Sequence, residues 1–441
     1  MPKSSTKASI ALLRLAKLGF MQSRTSSQIR RGVTVGASAL VMLGCGIVAA
    51  PSAHATGYTV LYSFAGAPND GDRGYGGLVI DKSGNLKGAT IYGGANDYGT
   101  VFSLDTAGNE TVLDSFDGAL KNGGYPTPGM IRHKGILYGT VNHGVYGGGG
   151  IYKVNKRNKV SIVYGFCQLT NCADGFLPQY GVISDDNGNL YGSTPKGGAY
   201  GYGVVFKVNA TGKEKVLHSF CADQNLCTDG DYPTGGLVRD QGGNLYGTTQ
   251  GGGGNQDCAS GQYPCGTVFK IDATGNYSVL YSFKGPANGD GSNPYGTPIL
   301  DKNGNLYGTT LEGGTCTQCG TSGCGIVFKI DSSGNETVLY SFTGGADGQY
   351  PEFNGLVRSS GNLYGTTVAG GAYGYGTVFK LDSTGVETVL HDFTGGTDGS
   401  EPNIGLIKDK NGNLYGMTNF GGNLSCTEEG SGCGVVYKIT P

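Results

Sequence analysis

Six aspartates followed by glycine recur along the chain, at Asp70, Asp174, Asp229, Asp290, Asp347 and Asp398, with Asn122 in the remaining place. Carboxylates repeated this evenly could form a ring near a channel mouth and hold a cation or a basic group. Asp-Gly followed by Pro is equally ordinary turn chemistry. Asp70-Gly71-Asp72 also lacks the further oxygen ligands of a calcium loop. Tyrosine is plentiful, at 28 copies with no Trp, and its flat apolar face and polar tip suit contact with a sugar or a protein. Tyr232, Tyr350 and Tyr373 lead that set. His143 is the histidine expected beside a cleft and is the catalytic candidate, whereas His218 and His391 replace the tyrosine of Tyr62, Tyr281 and Tyr340 and read as packing residues. There is no Gly-x-Ser-x-Gly elbow, phosphate loop or His-Glu-x-x-His helix. No cofactor is expected.

Cysteine is the other chemistry-bearing residue. Beyond Cys45 there are 11, in short local groups: Cys167/Cys172, Cys221/Cys227, Cys258/Cys265, Cys316/Cys319/Cys324 and Cys426/Cys433. Spacing of this kind in an exported chain reads as disulfides that staple single loops. Cys265, Cys324 and Cys433 each directly precede a strand-opening glycine, which favours Cys316 with Cys324 and leaves Cys319 unpaired. A zinc site at these three sulfurs would want a fourth ligand, and no metal is expected.

The elements that must position these residues are legible as repeats. A phrase of the form GNLYGTT occurs seven times, and its LYG glycines, Gly88, Gly139, Gly192, Gly247, Gly308, Gly365 and Gly416, are 51, 53, 55, 61, 57 and 51 residues apart. That period marks a closed ring or a solenoid. Each unit carries four runs rich in β-branched and aromatic residues, such as 236–239, 244–249, 267–271 and 278–283, bounded by Gly, Asp or Asn. The fold expected is all-β, a seven-bladed β-propeller of four-stranded blades over 56–441. The chain stops after GVVYKITP without a fourth strand, while TGYTVLYSF from Thr56 is a fourth strand with no unit before it. Joined, the two ends complete the last blade and remove an exposed sheet edge. Short Asp/Asn/Gly hairpins then fall on one rim, which has little room for a pocket, and the variable inserts fall on the other. The glycine inside LYG suggests that a bulky group from the next blade packs over it.

Residues 1–55 read as an export signal: seven Lys or Arg and no acid, the apolar run 33–50, then Ala53-His54-Ala55. A start at Met21, a twin-arginine signal at Arg30-Arg31, lipidation at Cys45 and an uncleaved anchor are the alternatives. Without the leader, 24 of the 31 cations remain against 33 acids, a formal charge of −9. That balance argues against nucleic acid as a partner, and no membrane span is expected after the leader.

The phrases GLVRDQGGNLYGTT from Gly236, GTVFKID from Gly266 and TVLYSF from Thr337 resemble the bacterial Gloeo/Verruco-type tandem repeat of the choice-of-anchor GloVer-containing proteins. The resemblance covers 56–441 and implies an exported bacterial protein, with no catalytic motif or ligand to carry over. No sorting segment follows Pro441, which points to a secreted or periplasmic protein, with the cell surface as the alternative. The expected function is non-catalytic binding of an extracellular glycan or protein through the insert-bearing face. A polysaccharide lyase or hydrolase with its site at the channel mouth, and a structural envelope protein, are the alternatives.

Overall fold

A computed structural model describes residues 57–441 apart from 119–121, 255–264, 317, 352–354 and 428–429. The expected leader, its Cys45 and also Cys258 lie outside the described residues. Seven antiparallel sheets follow one another, each a blade built on a four-strand path, with the inner strand of the second and fifth blades split into two pieces that both pair with the second strand. The fourth blade is typical, with strands Val238–Arg239, Leu245–Thr249, Thr267–Ile271 and Tyr277–Ser282. The expected runs sit within two residues of these. The seventh blade takes its outer strand from the other end of the chain: Tyr58–Ser63 pairs with Val435–Ile439, with Tyr58 opposite Ile439. This is a seven-bladed β-propeller closed by both termini, and no helix among the described residues is long and apolar enough to cross a membrane.

First strands are innermost, and glycine lets them approach at the axis. A Cβ added to Gly77 would lie 2.9 Å from the Gly129 nitrogen, and one on Gly181 only 1.8 Å from the Gly129 carbonyl oxygen. Real side chains cannot be placed there, so these segments stay as bare backbone.

Two recurring aromatics explain the phrases VFKI and LYSF. The Phe that follows each fourth strand packs against the third-strand aromatic of the next blade. Phe64 meets Phe102 at 5.2 Å, Phe116 meets Tyr152 at 5.2 Å and Phe166 meets Phe206 at 4.9 Å. The series continues with Phe220 and Phe269 at 5.4 Å, Phe283 and Phe328 at 5.1 Å, Phe342 and Phe379 at 5.2 Å, and Phe393 and Tyr437 at 5.4 Å. All fourteen rings are fully buried, so each seam buries two large apolar groups in mostly edge-on contact.

The LYG glycine belongs to the same device. Gly247 faces Phe269 across the ladder, and a Cβ there would fall 2.6 Å from the ring. The group covering this glycine therefore comes from the third strand of its own blade, not from the next blade as expected. A cross-strand partner stands directly opposite and close, and the Phe packed behind that ring, Phe220, belongs to the preceding blade.

The hairpin rim is built from Asp-x-x-Gly-Asn turns. Asp301 Oδ1 accepts from the Asn303 and Asn305 backbone N–H groups at 2.9 Å, and its Oδ2 accepts from the Asn305 side chain. Gly304 supplies the positive φ of 82° that the turn requires.

Candidate ligand-binding face

On the insert-bearing face, a stretch of the form Asp-Gly-x-x-Pro leads from each outer strand to the next inner strand, with Asn122 in place of the aspartate before the second blade and Gly74 in place of the proline before the first. Its fourth residue takes a left-handed conformation in every blade: Arg73 (φ 60°), Tyr125 (56°), Leu177 (55°), Tyr232 (49°), Asn293 (56°), Tyr350 (58°) and Glu401 (53°). None is glycine, so each bears the Cβ–carbonyl crowding of that region, about 1–2 kcal/mol. The backbone N–H of each donates to the carbonyl preceding the third-strand glycine of the blade before, as in Tyr232 to Tyr202 at 3.0 Å and Tyr350 to Cys324 at 3.0 Å. The following proline packs on that glycine, so that a Cβ on Gly203 would sit 2.6 Å from Pro233 Cδ. The backbone is thus the same seven times while the side chain is a cation, an aromatic, an aliphatic, an amide or an acid. Strained positions held this firmly concentrate at functional sites.

Two members of the ring, Tyr232 and Asn293, line a cavity of about 320 Å³ together with Gln179, Pro195, Lys196, Thr234, Gln250, Gly251 and Tyr295. The lining comes from three successive blades. Gln179 Oε1 and Thr234 Oγ1 are buried without a hydrogen-bond partner among the described residues, and Asn293 donates to Glu312 at 2.7 Å. Beside Tyr232, burial and then the charge of Asp229 push the Asp231 carboxyl up to about 6.

A second aromatic group lies across blades seven, one and two. The Arg73 guanidinium lies 5.0 Å from the Tyr92 ring centre and 4.8 Å from that of Phe420. Tyr125 packs against Tyr92 and Tyr98 at 5.5 and 5.2 Å. His143 joins by ring contact, 5.9 Å from Tyr98 and 6.1 Å from Tyr125. Among the described residues no carboxylate lies within hydrogen-bond reach of it. Burial raises Asp72 to about 6, with Arg73 pulling the other way.

The structure separates the other expected site residues. Asp174, Asp229, Asp290, Asp347 and Asp398, like Asp70, do not turn into the channel mouth. Each carboxylate accepts from a Tyr hydroxyl or His Nε2 of the preceding outer strand: Asp70 from Tyr62 and Asp174 from Tyr164 at 2.8 Å, Asp229 from His218 at 2.9 Å, Asp290 from Tyr281 at 2.7 Å, Asp347 from Tyr340 at 2.9 Å and Asp398 from His391 at 3.2 Å. Backbone N–H groups of the loop occupy the rest, such as Lys284 and Gly291 on Asp290. The reason is local: the chain has only just left the outer strand at this point, so the nearest donors are that strand's own. Tyr350 keeps its place in the ring, and Tyr373 is exposed on a neighbouring insert. The members Arg73, Leu177, Asn293 and Glu401 were missed; their signal is the variable position two residues after Asp-Gly, followed by Pro in all of them but Arg73.

Cysteines pair within their loops as Cys167–Cys172, Cys221–Cys227 and Cys426–Cys433. Cys265 is disulfide-bonded. Cys324 lies at bonding distance from both Cys316 and Cys319, so Cys319 is not set apart as the sequence suggested.

The hairpin rim is less plain than expected. A cavity of about 270 Å³ opens between its turns, lined by Lys87, Arg132, Gly135, Leu137, Val154, Asn155, Lys156 and Asn158. Lys87 occupies the place held by tyrosine in the other six LYG phrases.

A family model described as the Gloeobacter/Verrucomicrobia repeat matches residues 35–260 and 258–441. The chain belongs to that repeat family. Among solved structures, this member of the family is similar to the extracellular domain of a putative one-component system from B. thetaiotaomicron, with a TM-score of 0.51 at 10% identity. That match covers 87% of this chain and 40% of the other, so the chain spans less than half of that structure's length. It is also similar to puromycin hydrolase, with a TM-score of 0.47 at 11% identity over 80% of this chain and 50% of that one. At 10% identity the first of these likenesses speaks for the fold alone. No curated protein matches.

Proposed function

We propose that this repeat-family propeller is an exported, non-catalytic binding protein that takes a neutral glycan on its insert-bearing face. The cavity at Tyr232 carries the reading. Its lining combines two tyrosines with three side-chain amides, Gln179, Gln250 and Asn293. Sugars present alternating apolar faces and hydroxyls that both donate and accept, which is what tyrosine rings and amides match. Buried, unpartnered oxygens on Gln179 and Thr234 would gain a hydroxyl donor on binding.

Binding is favoured over hydrolysis or lysis for a specific reason. Among the described residues the lining contains no carboxylate or imidazole, the nearby Glu312 is taken up by Asn293, and His143 makes ring contacts with Tyr98 and Tyr125 instead. General acid–base chemistry would need such a group within hydrogen-bond reach of the reacting bond. Loop disulfides accord with an oxidising, extracytoplasmic location, secreted or periplasmic. The test is a glycan array probed with the protein from residue 56 onward, followed by calorimetry with any hit and an assay for shortened polysaccharide. Binding without turnover supports the reading, and turnover of the bound glycan would move the protein to the enzyme class.

A further inference from the structure

We infer that the hairpin-rim cavity between blades one and two is a binding site for a phosphate monoester or free phosphate, held by Lys87, Arg132 and Lys156. These three side chains line the cavity together with Asn155, Asn158, Leu137 and Val154. The charge gathered here runs against the rest of the chain. Between Asp117 and Asp174 the sequence holds seven Lys or Arg and no acid, although the whole chain has 33 acids to 31 cations. Where the neighbouring blades place Asp105 and Asp185 in their hairpin turns, the second blade has Asn155 and His133.

The three cations lack an internal counter-charge. Lys87, Arg132 and Lys156 make no ion pair among the described residues. Two acids of the first blade are already engaged, Asp81 by Ser83 and Asn85 of its own turn and Asp114 by Lys159 at 3.2 Å and the Val160 N–H at 2.9 Å. At the seam between blades five and six the places of Lys87 and Arg132 are filled by Tyr307 and Arg358, with the guanidinium 5.5 Å from the ring centre. At the first seam that attractive pair becomes two cations lining one cavity. Like charges so placed disfavour each other, and an anion between them reverses the sign.

The turn of the second blade adds polar groups. Asn158 holds φ 60° at the position that is Gly108, Gly212, Gly275, Gly334 and Gly385 in the other five hairpins of this kind. A side chain is thus kept beside the cavity on left-handed backbone that suits glycine better. Asn155 Oδ1 accepts from the Arg157 and Lys159 backbone N–H groups at 2.8 and 3.1 Å, which leaves its NH2 group as a donor.

Three cations and amide donors set the class of ligand. A phosphate monoester brings roughly −1.5 to −2 charges and three terminal oxygens, so Arg132 can bind two in a fork while each lysine makes a point contact. A carboxylate has a single charge and two oxygens. The site stands apart from the cavity at Tyr232 and does not depend on its ligand.

The test is calorimetric titration of the full chain in about 0.15 M salt, which screens loose surface attraction, with inorganic phosphate, glucose 6-phosphate and galacturonate as probes. Both phosphates should bind, and galacturonate should bind at least about tenfold more weakly. Tighter binding of glucose 6-phosphate than of phosphate identifies a sugar phosphate as the source, and equal or weaker binding identifies free phosphate. The variant K87Y/K156A writes in residues that stand at these places in the fourth blade, Tyr246 and Ala273, so the fold accommodates it. It should melt with the parent and bind phosphate about 100-fold more weakly, and K87Y alone about tenfold, for the loss of charge-assisted contacts. Unchanged phosphate affinity in either folded variant, galacturonate bound as tightly as phosphate, or no binding of either phosphate would each overturn the proposal.

Discussion

Phe64 and Phe102 meet edge-on at 5.2 Å across the seam where the two ends of the chain close the ring, repeating the contact made at the other six seams. Phe64 belongs to the segment that enters before any repeat has begun, yet it fills the same fully buried place as Phe283 between blades four and five. Replacing Phe64 by Ala should therefore cost about 3–5 kcal/mol, as for any buried Phe. Urea unfolding of F64A and F283A should give similar losses. A much smaller loss for F64A would mean that the closing strand is only loosely attached.

The fold was legible because period, strand runs and turn signals agree, and the fourth strand missing after the last repeat is supplied by the segment ahead of the first. What failed was any statement about direction. Phe269 over Gly247 and Tyr62 on Asp70 are contacts whose partners are fixed by register and by which way a side chain leaves the backbone, and a one-dimensional repeat carries neither. Tyr232 was found for its residue type, but Asn293 and Arg73 share its backbone and not its chemistry. A search by residue type passes over them.

The pH dependence of stability follows from two opposed sets of carboxylates. Glu110, Glu214 and Glu336 are pushed up to about 7 and Glu387 to about 8, by burial first and then by Asp70, Asp174, Asp290 and Asp347 respectively. Their folded values are raised, so the stability they contribute is complete below about 4.5 and is lost as pH rises through about 7 to 8. Turn aspartates Asp105, Asp331 and Asp382 are held low by hydrogen bonds from Asn109, Asn335 and Thr384. Their contribution is present above about 3.8 and is lost as pH falls further. Urea midpoints should peak near pH 5 and decline toward pH 8.5. E387Q should flatten that decline, and an unchanged slope would show that Glu387 does not carry it.

Asp290 accepts from Tyr281, Lys284 and Gly291 and ties an outer strand to the next blade. Changing it to Ala strands those donors and should cost about 3 kcal/mol, while leaving ligand affinity within about twofold at a temperature where the variant is folded. Thermal unfolding with a binding titration checks both. Lost affinity in a folded D290A would restore the aspartates as ligand-contacting groups.

The lock at Asp290 also separates the two faces experimentally. Charge reversal at Lys87 or Lys156 alters the hairpin-rim cavity, far along the strands from Tyr232. Neither K87E nor K156E should change glycan affinity by more than about twofold, as read by calorimetry. A larger loss would move the ligand to the basic cavity.

The most direct measurement is glycan affinity after truncating the ring tyrosine that lines the cavity. Tyr232→Ala removes an aromatic face from a site that also includes Tyr295 and Asn293, and truncations of central aromatic contacts commonly cost about 2 kcal/mol or more. The account predicts that Y232A, with unchanged circular dichroism and melting, binds the array's best glycan about 30-fold more weakly. Full affinity in folded Y232A would contradict it.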